Sequence, residues 1–160
     1  MGSGISKKDY ISHLNNTSRD HSRTTMQWNS GPQGGFGSGN NNWFLSNPNH
    51  DRINVENDLN NEDSVFHFYR NLIKIRKESK DLIYGDYFDL DPNHQNIFMY
   101  QRVGLKTTYL IILNMSDSSI NYNFNNLTEY SFEFSNRNTK PKISSNYIEL
   151  LAWDALMFKK

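Results

Sequence analysis

Between Val65 and Ile75 the apolar side chains fall at Val65, Phe68, Tyr69, Leu72 and Ile73, with Ile75 beside them. This i, i+3, i+4 spacing predicts a helix with one apolar stripe. Asn60 or Asn61 can cap its start, Glu62 and Asp63 sit at the positive end of its dipole, and Lys74, Arg76, Lys77 and Lys80 sit toward the negative end. From Leu82 onward the period changes to short runs rich in tyrosine, phenylalanine and isoleucine, broken by Asp-Pro-Asn, Gly-Leu-Lys and Asp-Ser-Ser turn signals. Strands are expected near 87–90, 97–102, 107–114, 120–124, 130–134, 147–151 and 155–159. The run Tyr109-Leu110-Ile111-Ile112-Leu113 is apolar on both faces and belongs in the middle of a sheet. Ile120-Asn121-Tyr122-Asn123-Phe124 alternates, as a strand with one wet face does. Such a series of short strands indicates an antiparallel β-sandwich.

The first third of the chain reads differently. Residues 7–14 suit a short helix, and residues 18–60 are too rich in asparagine and glycine for regular structure. A loop that long without a core of its own points to missing surroundings.

Composition narrows the function classes. Lysine plus arginine and aspartate plus glutamate are both 17, so no net field favours nucleic acid or an anionic membrane. There is no cysteine, which excludes disulfides, thiolate metal sites and a cysteine nucleophile and fits a reducing, cytoplasmic compartment. No signal peptide and no apolar run of bilayer-spanning length is visible. Hydrophobic residues make up 36% of the 160, enough for a modest core, and the mean hydropathy of -0.79 says that surface dominates. His13, His21, His50, His67 and His94 are too scattered for a metal-ligand pair, and the glycine-rich stretch lacks the Gly-Lys-Ser/Thr of a phosphate cradle. No cofactor is implied.

The densest chemistry lies in residues 18–28, Ser-Arg-Asp-His-Ser-Arg-Thr-Thr-Met-Gln-Trp. Arg19 and Arg23 offer fixed forks of donors, Asp20 offers acceptors, and Met26 and Trp28 offer apolar surface beside them. That mixture suits a polar pocket with an apolar wall, although an isolated R-D-x-x-R is more often a surface ion pair. Trp28 and Trp43 can stack on a sugar face, but buried loop anchors are the commoner use of tryptophan in such a segment.

The run Arg19 to Trp28 resembles the R-D-x-x-R-x-P-M-Q-W segment of the α-amylase superfamily, in its oligo-1,6-glucosidase, α-glucosidase and trehalose-6-phosphate hydrolase branch. Further matches follow in family order: Gly35-Phe36 with A-G-F, Asn47-Pro48-Asn49 and Ile53-Asn54-Val55-Glu56 with N-P-N-Y-x-x-I-N-V-E, Asp63 to Ile73 with D-S-I-F-x-Y-Y-R-K-L-I, and Tyr84-Gly85-Asp86-Tyr87 with Y-G-D-Y. Thr25 stands where the family usually has proline, and Ala152-Trp153-Asp154-Ala155 stands where relatives have P-Y-E-A.

The resemblance implies an α+β fragment: residues 1–80 as the terminal loop and last helix of a (β/α)8 barrel, and residues 81–160 as an antiparallel C-terminal β-domain. It implies that Arg23 hydrogen-bonds a terminal glucose, that Arg19 lies at the pocket mouth, and that Asp20 orients them. The family's aspartate nucleophile, glutamate acid/base and second aspartate lie on barrel strands preceding this segment, so no catalytic residue is assigned here and the chain alone is expected to be inactive. Its partner is then an α-glucosidic oligosaccharide, bound only with the rest of the barrel. The alternative reading is a non-catalytic β-sandwich that binds carbohydrate or is purely structural.

Overall fold

In the computed structural model, residues 4–19, 22–38, 44–137, 139–144 and 146–160 are described. The chain divides into two compact units, residues 1–67 and 68–160, and each has its own means of support.

The first unit begins with helix α1, Lys7–Thr17, capped by Ser6, whose Oγ accepts from the Asp9 amide at 3.1 Å. It runs a turn beyond the expected 7–14, and none of its residues is buried. The stretch 18–60 is less irregular than its composition suggests. Two 3-10 turns form at Pro32–Gly35 and Pro48–Asp51, and helix α2 spans Val55–Asn60. The reason is local capping. Asn47 Oδ1 accepts from the Asn49 amide at 3.2 Å and Asn54 Oδ1 from the Asn57 amide at 2.8 Å, so the asparagines that argued for loop are the caps that start these turns.

Helix α3, Val65–Glu78, is the expected amphipathic helix. Ser64 caps it, in place of Asn60 or Asn61: its Oγ accepts from the His67 amide at 3.3 Å. Asn60 instead ends α2, and Asn61 closes the intervening turn by accepting from the Asp63 amide at 3.1 Å. A short helix not anticipated, α4 at Lys80–Tyr84, follows Ser79, which caps it by accepting from the Leu82 amide at 3.2 Å.

All seven expected strands form. They are β1 Asp86–Asp89, β2 Ile97–Val103, β3 Thr108–Asn114, β4 Ile120–Asn123, β5 Ser131–Ser135, β7 Tyr147–Leu150 and β8 Ala155–Lys159, and a two-residue β6 at Ile143–Ser144 is added. A five-stranded sheet has the order β1-β2-β3-β8-β5 and a three-stranded sheet the order β4-β7-β6, with every pairing antiparallel. β3 is the central strand, as its two apolar faces require. Ile97, Met99, Leu110, Ile112, Leu156 and Phe158 of the larger sheet meet Ile148 and Leu150 of the smaller in one buried core, closed by Leu127. On the other face of the larger sheet, Tyr109 and Met157 pack with Leu82 of α4 and Ile75 of α3.

Polar groups fix the corners of this sandwich. Buried Asn114 at the end of β3 donates to the Ser118 and Leu151 carbonyls at 2.8 and 2.9 Å and accepts from the Ser116 amide at 3.1 Å. At the Ala152-Trp153-Asp154-Ala155 corner Trp153 takes a left-handed φ of 60°. Buried Asp154 accepts from the Leu151 amide at 2.7 Å and pairs with Arg137. Asp81 of α4 accepts from the Leu105 and Thr107 amides at 3.1 and 3.0 Å, tying down the β2–β3 turn where Gly104 leaves room for the carboxylate.

The Tyr122 hydroxyl donates to Asp91 at 2.7 Å. Burial first, then this bond and the Asp91 charge, push the phenol above its ordinary 10.0. The folded chain therefore holds a proton that the unfolded chain releases, so this contribution is complete below about pH 10 and is lost as pH rises further. Tyr122→Phe should cost about 0.5–1.5 kcal/mol at pH 7 and flatten the loss of stability above pH 10. Urea denaturation midpoints at pH 7 and pH 10.5 measure both effects. An unchanged alkaline slope in the variant would contradict the assignment.

Candidate functional site

The segment that follows α1 is organised by Gln27. Its side-chain Nε2 donates to Asn49 Oδ1 at 2.9 Å and to the Ile53 carbonyl at 2.6 Å, and its own carbonyl accepts from the Val55 amide at 2.9 Å. The Trp28 carbonyl accepts from the Glu56 amide at 3.0 Å, so the start of α2 is bound to the backbone of residues 27 and 28. On the other side the amides of Trp28 and Asn29 both donate to the Gly34 carbonyl, at 2.7 and 3.2 Å. Gly34 is buried with a φ of +65°, a left-handed conformation that favours glycine, while a Cβ there would make only ordinary contact with Gln27 Cα at 3.4 Å.

Along 25–29 burial alternates. Thr25, Gln27 and Asn29 are partly buried, whereas Met26 and Trp28 are exposed. Trp28 is 49% exposed, which corrects the expectation of a buried anchor: its backbone holds the loop and its indole is left on the surface. Phe36, 52% exposed, adds apolar surface in the same unit. Thr25, in the family's proline position, hydrogen-bonds through Oγ1 to Ser46 Oγ at 3.0 Å, a side-chain tether in place of a ring constraint.

Arg19 and Arg23 are both exposed. The Arg19 carbonyl accepts from the Ser22 amide at 3.2 Å and the Ser22 hydroxyl at 3.0 Å, closing a turn between the two arginines. Among the described residues neither guanidinium pairs with a carboxylate. Asp20, His21 and Trp43 lie outside the described residues. The described part of the site is thus two exposed guanidiniums preceding a tightly bonded strip with exposed Met26 and Trp28. No group of three or more His, Asp or Glu suited to a metal occurs among the described residues.

Residues 2–85 match the α-amylase catalytic domain. The chain belongs to the α-amylase family. It is 38% identical over 117 residues to the glucan 1,6-alpha-glucosidase of Streptococcus dysgalactiae subsp. equisimilis, covering 73% of this chain and 22% of that one. It is 32% identical over 157 residues to the probable oligo-1,6-glucosidase 3 of Bacillus subtilis (strain 168), covering 97% and 28%. A solved structure of Bacillus licheniformis trehalose-6-phosphate hydrolase superposes with a TM-score of 0.87 at 28% identity, covering 98% of this chain and 29% of that one. The chain therefore spans between a fifth and a third of the length of these relatives.

Sequence reasoning passed over Gln27 as the organising residue. The available signal was its place between two apolar side chains, which puts it on the opposite face of an extended strip. Gln27→Ala should remove about 1 kcal/mol per lost bond locally. Hydrogen exchange should then quicken at the Val55 and Glu56 amides, while the Leu110 and Ile112 amides keep their protection. Uniform quickening throughout would show that Gln27 does not act locally.

Proposed function

We propose that this chain is the C-terminal portion of an α-glucosidase-type glycoside hydrolase acting on terminal α-linked glucose of short oligosaccharides. In this reading residues 1–80 complete the wall of a (β/α)8 barrel, and residues 81–160 form its β-domain. Arg23 hydrogen-bonds the terminal glucose, and Arg19 lines the pocket mouth on the leaving-group side. A guanidinium fork bonds two vicinal hydroxyls at once, which fixes the ring as well as holding it. Retaining hydrolysis needs two carboxyl groups roughly 5–5.5 Å apart across the sugar. The reading assigns both to the part of the relatives' length that this chain does not span, so the chain positions substrate and leaves cleavage to that part. It also places the protein in the cytoplasm with no nucleic-acid or membrane partner. No helix among the described residues is long and apolar enough to cross a membrane.

The match of residues 2–85 to the catalytic domain carries this reading, supported by relatives named for 1,6-glucosidase and trehalose-6-phosphate hydrolase activity. A second reading, a carbohydrate-binding β-module, is favoured by Trp153, whose indole is 57% exposed on a left-handed corner. The two are separated by titrating the chain with maltose and isomaltose and following tryptophan fluorescence. Saturable binding abolished by Trp153→Ala but indifferent to Arg23→Ala supports the module.

For the hydrolase, p-nitrophenyl α-glucoside should not be turned over by the chain alone. Fusion to the missing barrel portion of a relative should restore turnover. In that fusion Arg23→Ala should lower kcat/KM roughly ten- to a hundredfold, the worth of one charge-assisted bond. Turnover by the unfused chain would overturn the proposal.

A further inference from the structure

Among the described residues, Thr25 carries the first bond after Arg23 that ties this stretch to a distant part of the chain, the 3.0 Å contact of its Oγ1 with Ser46 Oγ. Upstream, the turn at Arg19 and Ser22 is closed by local bonds. The next tether downstream is Gln27, held by Asn49 Oδ1 and the Ile53 carbonyl. Ser46 is itself well supported, because it precedes Asn47, whose side chain caps the turn Pro48–Asp51. That turn also supplies Asn49, so one capped stretch receives both tethers. Thr25 and Gln27 are partly buried against it, while Thr24, Met26 and Trp28 are exposed.

The spacing decides how freely Arg23 moves. A chain spans at most about 3.3–3.6 Å per residue, so the Thr25 bond keeps the Arg23 Cα within about 7 Å of a fixed point. Without that bond the nearest fixed point is Gln27, and the reach doubles to about 14 Å. A guanidinium that bonds two vicinal hydroxyls at once is sensitive to such slack, because both bonds depend on the plane of the fork. The family's proline restrains the same place by another route: its ring fixes its own φ and restricts the residue before it, whatever the rest of the loop does. A hydroxyl pair holds only when both partners are in place. In this chain the order of Arg23 therefore depends on Ser46, which lies 21 residues from Thr25.

Resting on the hydrolase reading above, we propose that Thr25 and Ser46 are positioning residues for Arg23. Their hydroxyl pair, standing in for the proline, sets the guanidinium where it meets the terminal glucose. Neither residue touches the sugar; both act through the backbone of residues 23–25.

The test uses the fusion described above and the full 160-residue chain. In the fusion, Ser46→Ala and Thr25→Val should each lower kcat/KM on p-nitrophenyl α-glucoside about three- to tenfold, and the double variant should lose no more than either single one. Once Arg23 is replaced by alanine, Ser46→Ala should have no further effect on kcat/KM, which a merely structural contact would still lower. Thr25→Pro in the Ser46→Ala background should restore the rate: the Thr25 amide donates no bond among the described residues and its φ is not left-handed, so the ring is accommodated there. In the unfused chain, nuclear relaxation should show the Arg23 amide more mobile in Ser46→Ala and ordered again on adding Thr25→Pro. Arg23 mobility that is the same with and without the Ser46 hydroxyl overturns the inference, as does a loss of activity in Ser46→Ala that persists without Arg23 or that proline does not rescue. The two proposals fail separately. An active fusion indifferent to Ser46→Ala removes the positioning role and keeps the hydrolase. A fusion without turnover, from a chain whose Arg23 mobility still follows Ser46, removes the hydrolase and leaves the hydroxyl pair as what orders Arg23.

Discussion

A strand that is apolar on both faces can rest only where both faces are covered, and residues 109–113 are such a strand. Leu110 and Ile112 point into the core shared by the two sheets and are fully buried. Each such side chain contributes about 1.5–3 kcal/mol relative to exposure. The exposed pairs Lys142–Glu149 and Lys160–Glu129 are each worth about 0–1 kcal/mol. Placement of β3 therefore decides the architecture, and the surface charges adjust to it. The opposite face, with Tyr109 and Ile111, is covered by α4 and the C-terminal half of α3 only in part. An open groove between α3 and the sheet is what remains.

This also explains which features were legible in the sequence. Strands β2, β3, β7 and β8 announce themselves because each carries apolar positions that burial enforces, β4 and β5 carry a half-buried alternation, and β1, exposed along its length, shows only in its aromatic residues between turn signals. β6 is two exposed residues paired to β7 and carries no such period. The α4 helix was missed because its five residues, Lys-Asp-Leu-Ile-Tyr, are too short for a helical repeat; the Ser79 cap, the Asp81 bonds to the Leu105 and Thr107 amides and the burial of Leu82 hold it. At α3 several polar residues precede the helix and any could serve as cap. Ser64 takes the role because Asn61 is already engaged in the turn before it. Competition between equivalent short polar side chains is settled by geometry, which composition does not record.

In residues 18–60 the same ambiguity misled in the other direction. Asparagine is a poor helix interior but a strong cap, so a segment dense in asparagine can be either loop or a series of short capped turns. Here it is the second. Arg19, Arg23, Met26 and Trp28 were visible as candidate chemistry because their side chains are distinctive. Gln27, Asn49, Asn54 and Ser46 were not, because their role is structural bonding: Gln27 to Asn49 and Ser46 to Thr25 across more than twenty residues, and Asn54 to the His50 carbonyl and the Asn57 amide nearby.

The two units thus draw their stability from different sources. Among the described residues up to His67 the fully buried ones are Gly34, Asn54 and Ser64, none of them a large apolar side chain. That unit is held by hydrogen bonds worth about 1 kcal/mol each, against a backbone ordering cost of about 1–2 kcal/mol per residue. Such a balance does not favour an ordered loop in isolation. The bonded strip leaves Met26, Trp28 and Phe36 exposed, so its polar network sets the local shape while its apolar side chains stay on the surface. The two units thus differ in kind: one is a polar network with little apolar burial of its own, the other a sandwich with a shared apolar core.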